Sequence, residues 1–436
     1  MNLASFAEPP SVDAIYKWWE WKGEKEAPRT YLGASLIGHD CDRYLWYVFR
    51  QCVREKFEGR MLRLFERGKR EESMFIRELR GIGCEVVDED DFGNQTKVIT
   101  LGGHFRGHLD AMILGLPEAP KSWHVGEFKT HNDSSFNKLK KDGVKASKPQ
   151  HYAQMLVYMG LTKVDRAYYL AVNKNTDELY SERVHFDPAE FKKIMTRAKR
   201  IITSDAPCER VATRSDDWRC KMCAANKICW GNGEDAVCPL PRVNCRSCCH
   251  ATPVVDDSDK GAWTCDLRLP MQEGCKRHLL LPGLMPSDKY TATPDGKAII
   301  YTFKNTAALV NGEGGLPSTV LTKIPLDVAL STPLQEALKM FDGEIVEDSE
   351  ETREALAVFP NMNLKLPDRY PPEDSRMVWE GTPFEIEGEP SIANIIEMEV
   401  TDRYEDASVV SVEYGKRFLL SVYSGHDYAV MWEGVE

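Results

Sequence analysis

Two short stretches dominate the interpretation of this 436-residue chain, Gly107-His108-Leu109-Asp110 and Gly126-Glu127-Phe128-Lys129-Thr130. Side chains two residues apart on a β-strand point to the same face, so we expect Glu127 and Lys129 to project together while Phe128 turns into the core. If the strands that carry the two stretches pair, Asp110 lies beside them. Two carboxylates are the hard oxygen ligands that Mg²⁺ or Mn²⁺ prefers. The stretches therefore predict a site for metal-assisted phosphodiester hydrolysis, with Lys129 orienting the attacking water.

The neighbouring residues predict a buried setting for these side chains. The segments His104 to Leu114 and Trp123 to Phe128 are apolar runs, and each predicts one buried strand. A basic linker follows, and then an amphipathic helix from Pro149 to Gly160. An isolated Glu-x-Lys triplet occurs on many solvated strands, so these surroundings give the triplet its meaning.

Two predicted helices flank the strands. The stretch Gly68 to Glu72 opens the first, because Phe75, Ile76 and Leu79 follow it at helical spacing. On the second, Gln154 and Tyr158 are one turn apart and share a face.

This order of elements and residues resembles the PD-(D/E)xK nuclease superfamily, in particular its RecB-like and bacteriophage-lambda-exonuclease-like branches. The resemblance covers about residues 30 to 235 and implies an α/β fold, with a restriction-endonuclease-like mixed central sheet flanked by helices. It implies that Asp110 and Glu127 hold the catalytic metal, with Glu72 and the carbonyl of Phe128 as lesser ligands. Lys129 would align the nucleophile. Gln154 would steady Lys129 or a DNA phosphate, and Gln150 is the alternative residue for that role. Tyr158 matches the tyrosine that often stands on the same helix in the family.

A first cysteine group brackets the predicted nuclease core, with Cys41 upstream and a trio spaced by two and five residues downstream. This pattern resembles the iron-sulfur nucleases of the CRISPR-associated RecB-like and AddB-type groups. The resemblance implies a structural 4Fe-4S cluster that clasps distant segments of the chain. Zinc at the same four thiolates is the rival interpretation. The four candidate ligands are Cys41, Cys220, Cys223 and Cys229.

A second cysteine group follows directly and predicts a small zinc module. A segment of some 40 residues is too small to fold on an apolar core alone, and four thiolates are a common ligand set for structural Zn²⁺. Cys249, His250 and His278 compete for the ligand positions. We favour as ligands Cys245, Cys248, Cys265 and Cys275.

Charge is unevenly divided along the chain, whose formal net charge is -12. From Asp288 to the end there are 28 acidic and 12 basic residues, against 40 and 44 before it, so the front is about +4 and the tail about -16. A basic front portion suits a polyanion such as DNA. The lysines of the predicted linker are candidate DNA contacts, although a solvated loop explains them as well: Lys138, Lys140, Lys141, Lys145 and Lys148.

Sequence features also predict the compartment. The first fifteen residues lack the basic and apolar regions of a secretory signal, and no run approaches the 18 apolar residues of a membrane span. Thirteen cysteines then indicate metal-bound thiolates in a reducing compartment, so we expect a cytoplasmic protein, in the host cytoplasm if it is phage-encoded.

Three domains are predicted: a nuclease domain over residues 1–235, a zinc module over 236–285, and an acidic, mixed or β-rich domain over 286–436. Runs at Lys297 to Phe303 and Arg417 to Tyr423 favour strands there, and Pro333 to Met340 favours a short helix. The expected function is a Mg²⁺- or Mn²⁺-dependent DNA exonuclease acting on DNA ends in phage recombination or replication. The tail would bind a single-strand annealing or replication protein. The alternative is a catalytically idle DNA-end binding or scaffold module with the same fold.

Overall fold

A computed structural model describes residues 10–90, 93–230, 243–303 and 308–322, together with the backbone of several short strands after residue 343. Two compact units divide the chain. The first comprises residues 1–225 and 252–265, and the second comprises residues 226–251 and 266–436. None of the helices in these described stretches is long and apolar enough to cross a membrane.

The first unit contains a five-stranded mixed sheet, ordered β2-β5-β6-β7-β8. Strands β6 and β7 run parallel, and their connection passes through two helices, whereas the other neighbouring pairs are antiparallel. The predicted mixed α/β architecture is therefore confirmed for this unit. The sheet strands are β2 (Glu85–Val87), β5 (Ala111–Leu114), β6 (His124–His131), β7 (Arg166–Asn173) and β8 (Leu179–His185).

Helices cover both faces of this sheet, and a smaller sheet, β1-β4-β3, accompanies it. The helices are α1 (Pro10–Glu24), α2 (Asp42–Phe49), α3 (Gly59–Gly81), α4 (Asp133–Ser147), α5 (Pro149–Thr162), α6 (Pro188–Thr203) and α7 (Trp218–Lys221), and the strands of the smaller sheet are β1 (Leu32–Gly33), β3 (Lys97–Thr100) and β4 (Phe105–His108).

The core of the first unit lies between α3 and the central sheet. Phe75 and Leu79 of α3 pack with Phe128, Tyr168 and Leu170, all of which are buried. This arrangement confirms that Phe128 turns inward from β6. On the other side of the sheet, α5 is buried from Ala153 to Met159, and α5 contacts both β6 and β7.

Three sequence predictions about these elements are wrong. The apolar run from His104 to Leu114 is two strands, β4 and β5, which belong to different sheets. The predicted basic linker is helix α4, which begins at Asp133 after its cap Asn132. The helix predicted to open near Gly68 is α3, which begins at Gly59. A residue of α1 bonds to its first turn.

The contact between α1 and α3 explains that early start. The Oε1 atom of Glu20 on α1 accepts a hydrogen bond of 2.7 Å from the backbone N–H of Gly59. This bond satisfies one of the N–H groups that a helix start leaves unpaired. A Cβ at residue 59 would lie 2.1 Å from the carbonyl oxygen of Tyr16, so only glycine allows this close approach.

A hairpin from residues 252–265 also belongs to the first unit, although these residues fall within the predicted zinc module. Its strands are β9 (Ala251–Pro253) and β10 (Trp263–Cys265). The Trp263 ring stacks on Phe49 with 5.7 Å between centroids, and the guanidinium of Arg50 lies 5.1 Å from the same ring. These contacts fasten the hairpin to the end of α2.

The second unit is described in part. It contains an antiparallel sheet ordered β11-β12-β13, a four-stranded sheet ordered β14-β19-β18-β17, and the pair β15-β16. The strands predicted at Lys297 to Phe303 and at Arg417 to Tyr423 are confirmed, whereas Pro333 to Met340 lies outside the described residues. The elements are α8 (Asn226–Trp230), β11 (Lys289–Ala292), β12 (Ala298–Thr302), β13 (Leu309–Gly312), α9 (Ser318–Leu321), β14 (Glu344–Glu347), β15 (Asn363–Leu364), β16 (Phe384–Glu385), β17 (Ala407–Glu413), β18 (Arg417–Tyr423) and β19 (Asp427–Glu433).

Candidate active site

Strands β5 and β6 bring the two quoted stretches together. Their antiparallel register pairs Ala111 with Gly126, so Asp110 comes opposite Glu127 at the end of β5. The Oδ2 atom of Asp110 accepts a hydrogen bond of 2.8 Å from the backbone N–H of Phe128 and lies 3.5 Å from the Nζ atom of Lys129. The predicted position of Asp110 beside Lys129 is confirmed, and of the two strands around Asp110 only β5 pairs with β6.

Glu127 and Lys129 share one face of β6 and form an ion pair. The Nζ atom of Lys129 also donates a hydrogen bond of 2.9 Å to the carbonyl oxygen of Phe128. The two carboxylates flanking Lys129 therefore compete for one ammonium group. Burial lowers the pKa of Lys129, but the charges of Asp110 and Glu127 outweigh it and raise the pKa above its ordinary value, so Lys129 is a cation at neutral pH.

Glu127 is the most unusual of these groups, because its side chain is 0% exposed. Its Oε2 atom has no hydrogen-bond partner among the described residues. Burial raises the pKa of Glu127 to about 8, and the charge of Asp110 adds to the rise while that of Lys129 opposes it. A buried carboxylate oxygen without a partner is costly. A bound cation would remove that cost, so Asp110 and Glu127 fit a divalent metal ion.

Glu72 contributes a third negative charge from helix α3. Its side chain is partly buried, and burial together with the charge of Asp110 raises its pKa to about 7. No group of three or more His, Cys, Asp or Glu side chains in the described ranges is arranged to hold a metal ion. The role of Glu72 as a ligand stays a prediction.

Helix α5 supports the approach to Asp110. The Nε2 atom of Gln154 donates a hydrogen bond of 3.1 Å to the hydroxyl of Tyr158, so the shared face of these residues is confirmed. The Tyr158 hydroxyl in turn donates a bond of 2.7 Å to the carbonyl oxygen of His108, two residues before Asp110. Gln150 instead bonds the carbonyl oxygen of Ser35 at 2.7 Å. The contact of Gln154 with Lys129 or a phosphate stays a prediction.

The sequence did not predict a buried hydrogen-bond network of Tyr169, His131 and His151 beside Lys129. The Tyr169 hydroxyl lies 2.9 Å from Nε2 of His131 and 2.9 Å from Nδ1 of His151. Tyr169 pairs with Glu127 in the register of β6 and β7. Burial lowers the pKa of His131 to about 4 and that of His151 to about 3. Spacing was the available signal: His131 is two residues after Lys129, and His151 is one turn before Gln154.

The five lysines predicted to contact DNA lie on α4 or at its end. Lys140 forms an ion pair with Glu178, and the Nζ atom of Lys148 donates a hydrogen bond of 2.6 Å to the hydroxyl of Ser135. The ammonium of Lys145 lies 5.0 Å from the ring centre of Tyr152. Lys138 and Lys141 are exposed. The five lysines thus differ in the contacts that their ammonium groups already make. Their contact with DNA stays a prediction.

Two of the candidate iron-sulfur ligands line one cavity of about 600 Å³ in the first unit. Cys41 and Cys223 border it together with His39, Tyr44 and Glu55. Cys41 also caps α2, because its Sγ atom accepts a hydrogen bond of 3.4 Å from the N–H of Tyr44. Cys220 lies on α7, and Cys229 belongs to the second unit. Cys41 and Cys223 therefore line the same cavity, and the cluster stays a prediction.

The candidate zinc ligands are divided between the units. Cys265 ends the hairpin of the first unit, and Cys245, Cys248 and Cys275 belong to the second. A hydrogen bond from the Cys249 thiol lowers the pKa of Cys248 to about 7. The competitor His278 is buried, and its Nε2 atom lies 3.1 Å from both the Ser247 hydroxyl and the Asn244 carbonyl oxygen. The choice among these ligands stays open.

The sequence matches no family profile and no curated protein. Part of the chain is similar to three solved structures. One, of SSO0001, is 14% identical with a TM-score of 0.33, and the match covers 51% of this chain and 98% of that one. Two others are of LHK-Exo, one in complex with dAMP (14% identical, TM-score 0.29, covering 43% and 90%) and one titled an alkaline exonuclease from Laribacter hongkongensis (15%, 0.27, 42% and 90%). These values are too low to assign a family.

Proposed function

We propose that this chain is a metal-dependent nuclease that hydrolyses phosphodiester bonds of DNA and acts as an exonuclease on DNA ends. One observation carries the proposal: the fully buried Glu127 has an oxygen without a hydrogen-bond partner among the described residues and stands beside Asp110 and Lys129. Burying two carboxylates next to one ammonium costs stability unless a ligand compensates for it. Active sites are where such costly arrangements of charge concentrate.

Asp110 and Glu127 would hold Mg²⁺ or Mn²⁺, with Glu72 and the Phe128 carbonyl as lesser ligands. The bound ion supplies positive charge that polarises a phosphate and lowers the pKa of water. Lys129 places its ammonium between the two carboxylates, where it would orient a water molecule and stabilise charge that develops on the phosphate oxygens. The bond from Tyr158 to His108 positions the turn that carries Asp110.

The test compares cleavage by the full chain and by Glu127→Gln, which keeps the shape of the side chain and removes its charge. End-labelled linear DNA and closed circular DNA are incubated with Mn²⁺ or with chelator. We expect at least a hundredfold loss of cleavage with binding to DNA retained, while the control Glu85→Gln, which changes an exposed glutamate on β2, should cut normally. Degradation of linear DNA alone supports an exonuclease. Undiminished cutting by Glu127→Gln contradicts the proposal, and the absence of cutting by the wild type favours the idle DNA-end binding module.

We also propose the 4Fe-4S cluster at Cys41, Cys220, Cys223 and Cys229 and a Zn²⁺ ion at Cys245, Cys248, Cys265 and Cys275. The four-cysteine pattern and the cavity shared by Cys41 and Cys223 support the cluster. Purified protein should contain iron and absorb visible light, and Cys223→Ser should lose both while Cys84→Ser keeps them. A preparation that holds zinc but no iron would establish the rival interpretation.

The acidic tail is proposed to bind a single-strand annealing or replication protein in phage recombination. The surplus of 28 acidic over 12 basic residues supports attraction to a basic partner surface. Co-purification of the full chain with such a protein at low salt, lost at high salt, is the expected result. Failure to retain it at any salt concentration contradicts this part of the proposal.

A further inference from the structure

Helix α1 packs on α3 through one of its two faces. Tyr16 lies against Gly59, Gly23 lies against Leu62, and the Glu20 carboxylate bonds the N–H of Gly59. Tyr16, Glu20 and Gly23 are accordingly among the partly buried residues of α1. None of the residues of α1 is fully buried.

The opposite face of α1 is apolar and exposed. A turn of about 100° per residue places Ile15, Trp18 and Trp21 on one side of the helix, together with Lys22 and the following Lys25. Ile15 is 49% exposed, Trp18 is 51% exposed and Trp21 is 53% exposed. Two half-exposed tryptophans on one helix face are unusual, because tryptophan is usually largely buried in a monomeric domain.

Cations accompany these rings. The ammonium of Lys25 lies 3.6 Å from the ring centre of Trp21, and that of Lys22 lies 5.6 Å from the ring centre of Trp18. The acidic residues of α1, which are Asp13, Glu20 and Glu24, fall on the other half of the helix by the same helical geometry. The exposed face therefore combines aromatic rings with positive charge alone.

Helix α3 continues this positive charge toward the candidate active site. Arg60, Arg63 and Arg70 are exposed along the helix. Arg67 and Lys69 are exposed as well, and they lie 3.9 Å from Glu71 and 4.0 Å from Glu66. A rise of 1.5 Å per residue places Glu72 about 15 Å along α3 from Leu62, where α1 makes contact. The exposed cations of α3 thus extend along the helix from the contact with α1 to the level of Glu72, beside the candidate carboxylates.

We propose that Trp18 and Trp21 form a stacking platform for single-stranded DNA, from which the cations of α3 guide the strand toward Asp110 and Glu127. The path toward Asp110 and Glu127 rests on the proposed nuclease function. The binding of a single strand by the two tryptophans does not depend on it. Bases have open π-faces only when unpaired, so exposed rings beside lysines suit a single strand. Its phosphates pair with Lys22, Lys25 and the α3 arginines.

A lipid surface is the competing occupant of a helix that carries tryptophan and lysine. The continuous row of arginines on α3 favours DNA, because a strand that reaches the carboxylates needs cations along its path. A membrane would need them only at the surface that it touches.

The test measures binding of the full chain to a labelled single strand of about 20 thymidines by fluorescence anisotropy, with chelator present so that nothing is cut. The double variant Trp18→Ala/Trp21→Ala, which removes both rings, should bind the single strand about thirtyfold more weakly. Trp18→Phe/Trp21→Phe, which keeps aromatic rings, should restore most of the affinity. The matched control is Trp123→Ala, because Trp123 is 36% exposed elsewhere in the first unit and its replacement should change affinity less than about twofold.

Duplex DNA of the same length separates stacking from general attraction, because its bases present no free faces. Its affinity should change little in the double alanine variant. Equal losses for single strand and duplex, or no loss for either, would overturn the platform. Loss of binding to phosphatidylglycerol vesicles with single-strand binding intact would assign the helix to a lipid surface. These binding results hold whether or not Glu127→Gln abolishes cleavage, so the two proposals fail separately.

Discussion

At the scale of single residues, the candidate site depends on a conflict of charge that burial enforces. Glu127 is 0% exposed and Asp110 is nearly so, yet one ammonium group serves both carboxylates. Burial raises the pKa of Glu127 to about 8, so its surroundings disfavour the ionised carboxylate. A divalent ion is the group that would relieve this conflict.

Substitution of Gly107 would test the close packing of Tyr158 on the backbone just before Asp110. A Cβ at residue 107 would lie 2.4 Å from Cε1 of Tyr158, so Gly107→Ala must displace the ring and its bond to His108. We expect a loss of about 1–3 kcal/mol in the free energy of unfolding and reduced cleavage. Gly68→Ala is the matched control, because its Cβ would meet nothing within 4 Å. Equal stability of the two variants, measured by denaturant titration, would show that Tyr158 has no fixed position.

The histidines beside Tyr169 predict how stability depends on pH. Burial holds the pKa of His131 at about 4 and that of His151 at about 3, whereas the unfolded chain binds these protons near pH 6.5. Stability is therefore full above pH 6.5 and falls as the pH drops toward 4 and 3, by up to about 1.4 kcal/mol per pH unit for each histidine. Chemical denaturation between pH 7 and 5 measures the slope.

The pair His131→Gln/His151→Gln should flatten that slope. His185→Gln changes an exposed histidine at the end of β8 and should leave it unaltered. A slope that persists in the double variant would assign the acid sensitivity to other groups.

At the scale of elements, the sequence predicted β6 and α5 but misplaced three boundaries. Alternation and apolar runs report burial, and alternate residues of both β4 and β5 are buried, so nothing local revealed that the chain changes sheets at Leu109 and Asp110. The start of α3 depends on Glu20, which is 39 residues away in the sequence. Helix α4 was hidden by its many lysines and by Gly143. Long-range contacts of this kind leave no local pattern.

Helix α4 itself yields a prediction about DNA binding. Because Lys140 is paired with Glu178, whereas Lys138 and Lys141 are exposed, the unpaired ammonium groups are better placed to meet phosphates. Lys138→Gln/Lys141→Gln should reduce the slope of log K against log salt concentration by about 1.8 for duplex DNA. Lys140→Gln should change it less. Filter binding from low to moderate salt measures the slopes, and a larger effect of Lys140→Gln would contradict a role for exposed α4 lysines.

At the scale of the whole molecule, the sequence was most informative where chemistry is local and least informative where units are assembled. The charge division between the front of the chain and its tail, and the Asp110, Glu127 and Lys129 trio, follow from nearby residues. The hairpin at residues 252–265 joins the first unit through Trp263, Phe49 and Arg50, which no spacing rule connects. The network of His131, Tyr169 and His151 likewise required three separate elements to be placed together.

Anomalous diffraction from crystals grown with Mn²⁺ would show whether Asp110 and Glu127 together hold one metal ion. We predict a manganese peak within about 2.2 Å of a carboxylate oxygen of each residue. The peak should disappear in Glu127→Gln. If protein that cleaves DNA in Mn²⁺ shows no manganese at these two carboxylates, the account is contradicted.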